Sequence, residues 1–497
     1  MINLRSSEET IAEYRRRLDT NPADYGSWNN LGVALEQKGE YEEALSSYDR
    51  AVEIKPSYAA GWYNRGLVLR QLGRHEEAII SFDKATQIKP DDFYAWKNLG
   101  EVLRKLGRDE ADINKEAIAS YNRALSIKPE DPCLLYNLGC ALSDLGQYEE
   151  AIASYAKAIE CNPGLFQAWY NRGVAYAKIN KTEEAINDFG RATKLNPELT
   201  KGWYNLGHLL SDAGKYDAAI ASYDKILALN SDDADIWHAR GNALYRSQRS
   251  QEALASFDRA IDANPNYAAA WYNRGMVLFH SGRYQEALAS QEKAIELEPN
   301  YAQAWNNRGY ALTELGRQQE AIESYRKAIE FKPSYDDAWC HLASSLFKLG
   351  RYQEAISSCD RAVELNPNNG QAWYVRGYAL QNSGKYEEAI ASYDRALASN
   401  GDRPQTWDNR GVALGKLGRY EEAVASCSKA LQLQPSYATA WYNNACWSAL
   451  QNNADLAIEN LHQAIRFQPH RFKRLAKSDS DFVRLRRDRR FQALIQG

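Results

Sequence analysis

The sequence repeats itself with a fixed period, and this limits the fold more than any other feature. Neighbouring tryptophans lie 34 residues apart, except across one gap of 73 residues in which Leu135 takes the Trp position. The tryptophans in this register are Trp28, Trp62, Trp96, Trp169, Trp203, Trp237, Trp271, Trp305, Trp339, Trp373, Trp407 and Trp441. Twelve of the fourteen prolines lie six residues before a Trp position. Such a period is typical of small stacked units rather than independent globular domains.

Each period predicts two helices. In one unit Trp169, Gly173 and Tyr176 follow helical spacing, and in another the second segment carries Ala389 and Tyr393 four residues apart. The proline after the second segment cannot continue a helix and therefore ends it. Alanine occupies the same place in the second helix of all thirteen units, so we expect the two helices to cross closely there.

The pattern resembles the tetratricopeptide repeat family, whose motif W-x2-L-G-x2-Y…A-x3-F…P has a 34-residue period. The first unit meets it, with Leu35 in place of Tyr, at Trp28, Leu31, Gly32, Ala44, Tyr48 and Pro56. The resemblance implies an all-α fold: a right-handed superhelical solenoid of about thirteen antiparallel helix pairs with an inner groove. The predicted organisation is an N-terminal half-repeat helix in 1–24, thirteen repeats in 25–471 and a basic C-terminal capping helix in 472–497.

Composition indicates a soluble protein without a membrane or nucleic-acid partner. The net charge is −4, and no apolar run approaches the roughly 18 residues of a membrane helix. The N-terminus lacks the apolar core of a signal peptide, so a cytoplasmic location is expected. The seven cysteines form no CxxC pair and are predicted to be reduced, with Cys359 and Cys427 filling core positions normally held by Tyr or Phe. No cofactor or metal is expected.

One polar residue recurs where packing does not require it. The position two residues after the Trp is Asn in ten of thirteen units and Ala239, His341 or Val375 in the others. At about 100° per residue this position lies about 200° from the Trp, away from the core of the helix pair, on the face that lines the inner groove in the family. The ten residues are Asn30, Asn64, Asn98, Asn137, Asn171, Asn205, Asn273, Asn307, Asn409 and Asn443.

Three interpretations of this asparagine series remain open. Asn in a helix is about 0.6 kcal/mol less favourable than Ala, so ten of them need an explanation. Recent duplication is one, but neighbouring groove positions vary. Hydrogen bonding to an adjacent repeat for structure alone is the second. The third is an asparagine ladder whose amides bond the backbone of an extended guest chain. The superhelix of O-linked N-acetylglucosamine transferase carries such a ladder, and this sequence resembles it at those positions.

Two further series lie beside the asparagines. Tyrosine follows the Trp directly in seven units, and its side chain would supply contact area to a peptide or pack against the next helix. The first six are included in the predicted peptide site: Tyr63, Tyr136, Tyr170, Tyr204, Tyr272 and Tyr374, with Tyr442 as the seventh. Arginine follows the Asn position in seven units, and we expect its charge to pair with a Glu of a neighbouring unit.

The sequence offers no catalytic motif. It has no phosphate-binding loop, its seven histidines are scattered, and no segment could hold a glycosyltransferase domain. The family's dicarboxylate clamp combines a Lys or Arg with an Asn four residues later. It is also absent, because Lys97 is followed four residues later by Glu101.

The insertion DEADINK after Gly107 is predicted to lengthen a turn, and the basic tail from Arg471 is predicted to form a solvated cap.

These observations predict a non-enzymatic scaffold that binds an extended peptide or partner tail in its groove. Its partners would be other proteins. The asparagines would provide affinity, and the varied groove residues would determine which partner is bound. The alternative is a structural or assembly protein that acts through self-association, its outer surface or its basic tail, or a targeting subunit of a separate enzyme.

Overall fold

The computed structural model describes residues 7–107, 110–400 and 403–496. Apart from a 3-10 turn at Ser480–Phe482, every regular element in these residues is an α-helix. They divide into two compact units, Met1–Ser231 and Asp232–Gly497. No helix among the described residues is long and apolar enough to cross a membrane.

The first unit contains a single helix followed by six helix pairs. Its helices are α1 (Ser7–Thr20), α2 (Tyr25–Lys38), α3 (Tyr41–Ile54), α4 (Ala59–Gln71), α5 (His75–Ile88), α6 (Phe93–Leu106), α7 (Ala111–Ile127), α8 (Pro132–Asp144), α9 (Tyr148–Cys161), α10 (Phe166–Lys178), α11 (Thr182–Leu195), α12 (Thr200–Asp212) and α13 (Tyr216–Leu229). Each even-numbered helix begins a repeat and packs on the helix that follows it.

The second unit contains seven helix pairs and a C-terminal cap. Its helices are α14 (Ala234–Arg246), α15 (Ser250–Ala263), α16 (Ala268–His280), α17 (Tyr284–Leu297), α18 (Ala302–Glu314), α19 (Gln318–Phe331), α20 (Asp336–Lys348), α21 (Tyr352–Leu365), α22 (Gly370–Asn382), α23 (Tyr386–Asn400), α24 (Pro404–Lys416), α25 (Tyr420–Leu433), α26 (Ala438–Leu450), α27 (Ala454–Phe467), α28 (Pro469–Ser478) and α29 (Arg489–Gln496). The thirteen helix pairs confirm the predicted all-α repeat fold.

A glycine and an aromatic ring define the crossing within nine of the thirteen pairs. The glycine four residues after the Trp faces the ring four residues after the second-helix alanine. A Cβ built on Gly309 would lie 2.6 Å from Cε1 of Tyr325, and one on Gly66 would lie 2.7 Å from Cε1 of Phe82. The rings are fully buried because glycine lets them approach the first helix. The recurring spacing between Gly and Tyr or Phe is therefore explained by a steric requirement, because a larger residue than Gly would clash with the ring.

The tryptophans fix the junction between repeats. In ten repeats the indole Nε1 donates a hydrogen bond of 2.8–3.1 Å to the carbonyl oxygen of the proline six residues earlier. The proline thus ends one repeat and accepts from the first helix of the next. This bond explains why the Trp and Pro series keep the same separation, a relation that sequence analysis attributed to packing and helix termination alone.

The insertion after Gly107 lengthens a helix, so the predicted longer turn is wrong. Helix α7 has 17 residues, whereas the other second helices of this unit have 14, and it begins at Ala111 inside the inserted segment. Ile113 packs on Gly107, and Asn114, which is buried, donates from Nδ2 to the Gly107 carbonyl. The first inserted residue, Asp109, lies outside the described residues.

The C-terminal segment predicted as one capping helix forms two helices, α28 and α29, separated by the 3-10 turn. Phe472, Phe482 and Phe491 are almost completely buried and extend the core of the last repeat. Tyr442 stacks on Phe472 with 4.9 Å between ring centroids, and its hydroxyl donates to Asp479 at 2.7 Å. The cap thus covers the apolar face that the last repeat would otherwise expose.

The cysteines among the described residues are all free thiols. Cys359 and Cys427 are completely buried at the ring position of their repeats, which confirms the predicted core role. Burial raises the pKa of both thiols well above the ordinary value.

Candidate functional site

The asparagine series makes a regular hydrogen bond between consecutive repeats. The amide Nδ2 of the Asn donates to the residue 35 positions earlier, which is the residue directly after the Trp of the preceding repeat. We name this contact the inter-repeat rung. Rungs with their Nδ2 distances are Asn64 to Asn29 (2.9 Å), Asn98 to Tyr63 (3.3 Å), Asn171 to Tyr136 (3.0 Å), Asn205 to Tyr170 (3.2 Å), Asn273 to His238 (2.8 Å), Asn409 to Tyr374 (3.1 Å) and Asn443 to Asp408 (2.9 Å). The Asn307 side chain likewise hydrogen-bonds Tyr272.

The acceptor side of the rung varies in residue type but not in chemistry. Tyr, Asn, His and Asp all offer an acceptor at this position. At one junction the pairing is reversed, since His341 Nδ1 donates to Asn306 Oδ1 at 3.0 Å. At another, Val375 stands 35 residues after the buried Cys340, so both members of the pair are apolar. The pairing was not predicted, because neither the asparagine series nor the series directly after the Trp shows it alone. A comparison of residues 35 positions apart could have found it.

Two of the ten asparagines depart from the pattern because of their place in the chain. Asn30 belongs to the first repeat, has no earlier first helix to bond and is exposed. Asn137 follows the insertion, which removes the 35-residue relation, and its Nδ2 lies 3.4 Å from Oε1 of Glu101 instead.

The tyrosines of the predicted site act mainly as rung acceptors and as covers for the core. Tyr170 lies 5.5 Å from Phe189 and Tyr63 lies 5.9 Å from Phe82, measured between ring centroids. Burial raises the pKa of Tyr63 and of Tyr272. Tyr204 differs, because it is 41% exposed and the residue 35 positions later is Ala239 rather than Asn. Five of the six predicted tyrosines are thus half-buried, and Tyr204 is the exposed member of the set.

The amides retain hydrogen-bonding capacity beyond the rung. A side-chain amide has two N–H donors and one carbonyl acceptor, and the rung uses one donor. Within the described residues, the amide oxygen Oδ1 accepts no hydrogen bond in Asn64, Asn171, Asn205, Asn273, Asn409 and Asn443. Most of the ten side chains are half-buried, and Asn98 is buried. In Asn98 the oxygen is occupied by Arg70 at 2.5 Å.

Most arginines that follow the Asn position pair with the preceding repeat as expected, but chiefly through Asp, and the expected Glu occurs at Arg308. Arg274 donates to Asp258 of the preceding repeat at 2.7 Å and to Ser290 of its own second helix at 2.7 Å. Its guanidinium also lies over the ring of Trp271, 5.8 Å from the centroid. Arg376 and Arg410 repeat this arrangement with Asp360 and Asp394.

Models of the tetratricopeptide repeat family match segments throughout the chain. Models described as tetratricopeptide repeat match 204–267, 238–300, 340–404, 59–92, 166–199, 404–437 and 291–323, and a model described as TPR repeat matches 35–69, 114–146, 139–180 and 309–350. The matched segments together span 35–92, 114–199 and 204–437. The chain belongs to the tetratricopeptide repeat family, a class of protein-interaction folds. The expectation from its motifs is therefore confirmed.

Several solved structures are similar to parts of the chain. YrrB, titled a TPR protein with an unusual peptide-binding site, is 28% identical over 39% of this chain and 96% of its own, with a TM-score of 0.36. The APC/C hetero-tetramer Cut9–Hcn1 is 17% identical over 92% and 97% of the two chains, with a TM-score of 0.41. MamA is 27% identical over 32% and 94%, with a TM-score of 0.32. Comparison with curated proteins gives no match.

Proposed function

We propose that the protein is a non-enzymatic scaffold that binds an extended segment of a partner protein along the first helices of its repeats. The observation that carries this proposal is that the rung uses an N–H donor of the asparagine amide and leaves its carbonyl oxygen without a hydrogen-bond partner in the part of the chain that the structure describes. Six of the ladder asparagines keep a carbonyl oxygen without a hydrogen-bond partner among the described residues, although the same side chain is held in place by its rung. An amide oxygen of this kind can accept from a peptide N–H regardless of the sequence of the guest.

The rung gives these amides a fixed orientation, which favours binding. A flexible asparagine loses rotamer freedom when it binds a ligand, and this loss weakens the complex. Since Asn171 and Asn205 already donate to Tyr136 and Tyr170, much of this loss has occurred during folding. Structural and binding roles of the ladder are therefore compatible, because they use different atoms of one amide.

The spacing of the repeats suits an extended guest. First helices of consecutive repeats contact each other within each unit. Packed helices lie about 8–10 Å apart, and an extended chain advances about 3.3–3.6 Å per residue. One amide is therefore offered for about every three residues of the guest, so a segment of about nine residues would meet three or four rungs.

Paired substitutions separate binding from structure. Asn171→Ala with Asn205→Ala removes the amides, whereas Tyr136→Phe with Tyr170→Phe breaks the same two rungs and leaves the amides in place. The full-length wild-type protein is used to select from a displayed library of random decapeptides, and the selected peptides are titrated into the wild-type protein and into each full-length variant. We expect the alanine variant to bind them at least tenfold more weakly and the phenylalanine variant to bind within threefold of wild type. Equal losses in the two variants would show that the ladder is structural only.

A further inference from the structure

One repeat lacks the ring that closes the crossing of its helix pair. The ring position of the second helix is Tyr or Phe in nine repeats, whereas the repeat formed by α16 and α17 carries Gln291. The repeats of Cys359, Cys427 and Leu461 also lack a ring. Ala343 and Ala445 replace the facing glycine of the first and the last, and Cys427 Sγ lies 2.7 Å from a Cβ built on its facing glycine, Gly411. Opposite Gln291 the glycine remains, as Gly275, and a Cβ built on it would clash with Nε2 of Gln291, so the amide lies where other repeats place the ring.

A cavity of about 230 Å³ opens at this place. Gly275, Ala287 and Gln291 form part of its lining. His280 and Asp337, which also line it, are exposed, so the cavity reaches solvent. Its volume is below the roughly 300–1,000 Å³ of typical small-molecule pockets, which suits a single side chain better than a cofactor.

Gln291, which lines this cavity, carries a buried amide with an unused acceptor. The side chain is 1% exposed, and Nε2 donates to the backbone oxygen of Tyr272 at 3.0 Å. This bond fixes the amide orientation and leaves Oε1 buried without a hydrogen-bond partner. An unsatisfied buried acceptor destabilises a fold by about 1–3 kcal/mol. A ligand that donates to Oε1 would remove this penalty.

Two further polar groups of the cavity, in His341 and Asp337, are acceptors. His341 donates from Nδ1 to Asn306 Oδ1, and burial lowers the pKa of His341, so the neutral ring presents Nε2 as an acceptor. Asp337 supplies a carboxylate that makes no ion pair or hydrogen bond within the described residues. Among the described residues that line the cavity there is no Lys or Arg, although Lys332 contacts the ring of Tyr335 at 4.9 Å. The site therefore favours a ligand that carries several donors and a positive charge.

Aromatic side chains line one side of the cavity. Phe279 stacks on Tyr310 with centroids 4.6 Å apart, and Tyr310 stacks on His341 at 5.0 Å. The planes of the second pair differ by 16°. A guanidinium group packs over an aromatic face, so an open face at the end of this stack would suit a planar cation.

We propose that this cavity, defined by Gln291, Asp337, His341 and the Phe279–Tyr310 stack, binds an arginine side chain. As a specificity pocket for a bound peptide it rests on the proposed function above. The planar guanidinium has five N–H donors and no acceptor, which complements a site that offers acceptors and ring faces. Lysine carries the charge but neither the planar shape nor the fork of donors.

Single-residue probes test the pocket apart from peptide binding. N-acetyl-L-arginine methylamide, its citrulline analogue and its lysine analogue are titrated into the full-length protein and followed by ligand-observed NMR. Citrulline keeps the planar shape and loses the charge. We expect the arginine probe to bind at least tenfold more tightly than either analogue. Equal binding of arginine and citrulline would overturn the proposal.

Two variants complete the test. Gln291→Tyr restores the ring of the other repeats and fills the cavity, so it should abolish arginine binding, with circular dichroism and thermal unfolding verifying the fold. Asp337→Asn, at an exposed position, should weaken arginine binding at least threefold and leave citrulline binding unchanged. Unchanged arginine binding in Gln291→Tyr would refute the pocket.

The ladder variant Asn171→Ala with Asn205→Ala distinguishes this proposal from the scaffold function. These residues belong to the other unit, so the variant should bind the arginine probe like wild type. If the wild-type protein binds the arginine probe but selects no peptide, the pocket stands and the scaffold proposal fails. If it selects peptides without enrichment of arginine, the specificity role of the pocket is refuted and the scaffold proposal stands.

Discussion

The inter-repeat rung can be tested by removing one hydroxyl group. Tyr170→Phe deletes the acceptor of the Asn205 amide, whose Nδ2 lies 3.2 Å from the hydroxyl oxygen, and leaves the ring packed on Phe189. A net hydrogen bond contributes about 0.5–1.5 kcal/mol. This bond is long, and the half-buried amide can turn to water in the variant. We therefore expect a loss in the lower half of that range, about 0.5–1 kcal/mol.

Native-state hydrogen exchange is the suitable assay, because a long repeat array need not unfold in one step. The exchange of backbone amides in α10 to α12 reports the free energy of local opening. A loss of about 0.5–1 kcal/mol corresponds to exchange roughly two- to fivefold faster in these helices. Asn205→Ala should change less, because alanine regains about 0.6 kcal/mol of helix propensity. The double variant should show a coupling energy of about 0.5–1 kcal/mol between the two residues.

Tyr204 provides a matched control in the next repeat. It occupies the same position as Tyr170, but it is 41% exposed and its hydroxyl makes no hydrogen bond within the described residues. Tyr204→Phe should therefore alter the free energy of local opening by less than about 0.5 kcal/mol. Equal effects of Tyr170→Phe and Tyr204→Phe, or zero coupling between Tyr170 and Asn205, would refute the rung as a stabilising contact.

Three further predictions concern packing, backbone conformation and charge. Gly309→Ala should destabilise the protein by about 1–3 kcal/mol in urea titrations, because the added Cβ would lie 2.6 Å from the buried ring of Tyr325; an unchanged midpoint would contradict it. Gly282→Ala should cost about 1 kcal/mol from its φ of 74° alone, since nothing lies within 4 Å of the added Cβ, and a loss as large as that of Gly309→Ala would argue against this. Burial raises the pKa of Asp408, so the folded state binds this proton more tightly than the unfolded state, and stability falls as pH rises from about 4 through the raised pKa. Asp408→Asn should flatten this part of the stability–pH profile, and a profile identical to wild type would exclude the effect.

The repeat fold could be predicted because each helix pair depends on local spacing. The Gly and ring positions, the central alanine and the proline each act within one period or at its end. The bond from the Trp indole to the proline carbonyl was not predicted, although both residue series were, because a side-chain direction across a turn is not given by helical periodicity. The extension of α7 was missed for another reason. Insertions are usually accommodated in turns, but Ile113 and Asn114 give the added residues their own contacts with Gly107.

The candidate site was predicted only in part. Rotation of 100° per residue places the Asn away from the core of its own helix pair, but the same calculation contains no information on how the preceding repeat is oriented. The partner of Asn205 is therefore absent from any single-helix analysis, even though Tyr170 was itself included in the predicted site. The Gln291 cavity was not predicted, because the repeat pattern describes residues that the repeats share, whereas this cavity lies where one repeat differs from the others.

The rung alone does not account for the choice of asparagine. A purely structural contact between consecutive repeats would be satisfied with the donor on either side, and the reversed pair of His341 and Asn306 shows that the fold accepts this. Yet eight junctions place Asn two residues after the Trp with an acceptor of variable type before it, and only one is reversed. In six of these eight pairs the carbonyl oxygen of the Asn accepts no hydrogen bond within the described residues. We expect such an asymmetry if a guest chain lies along the first helices, as proposed above.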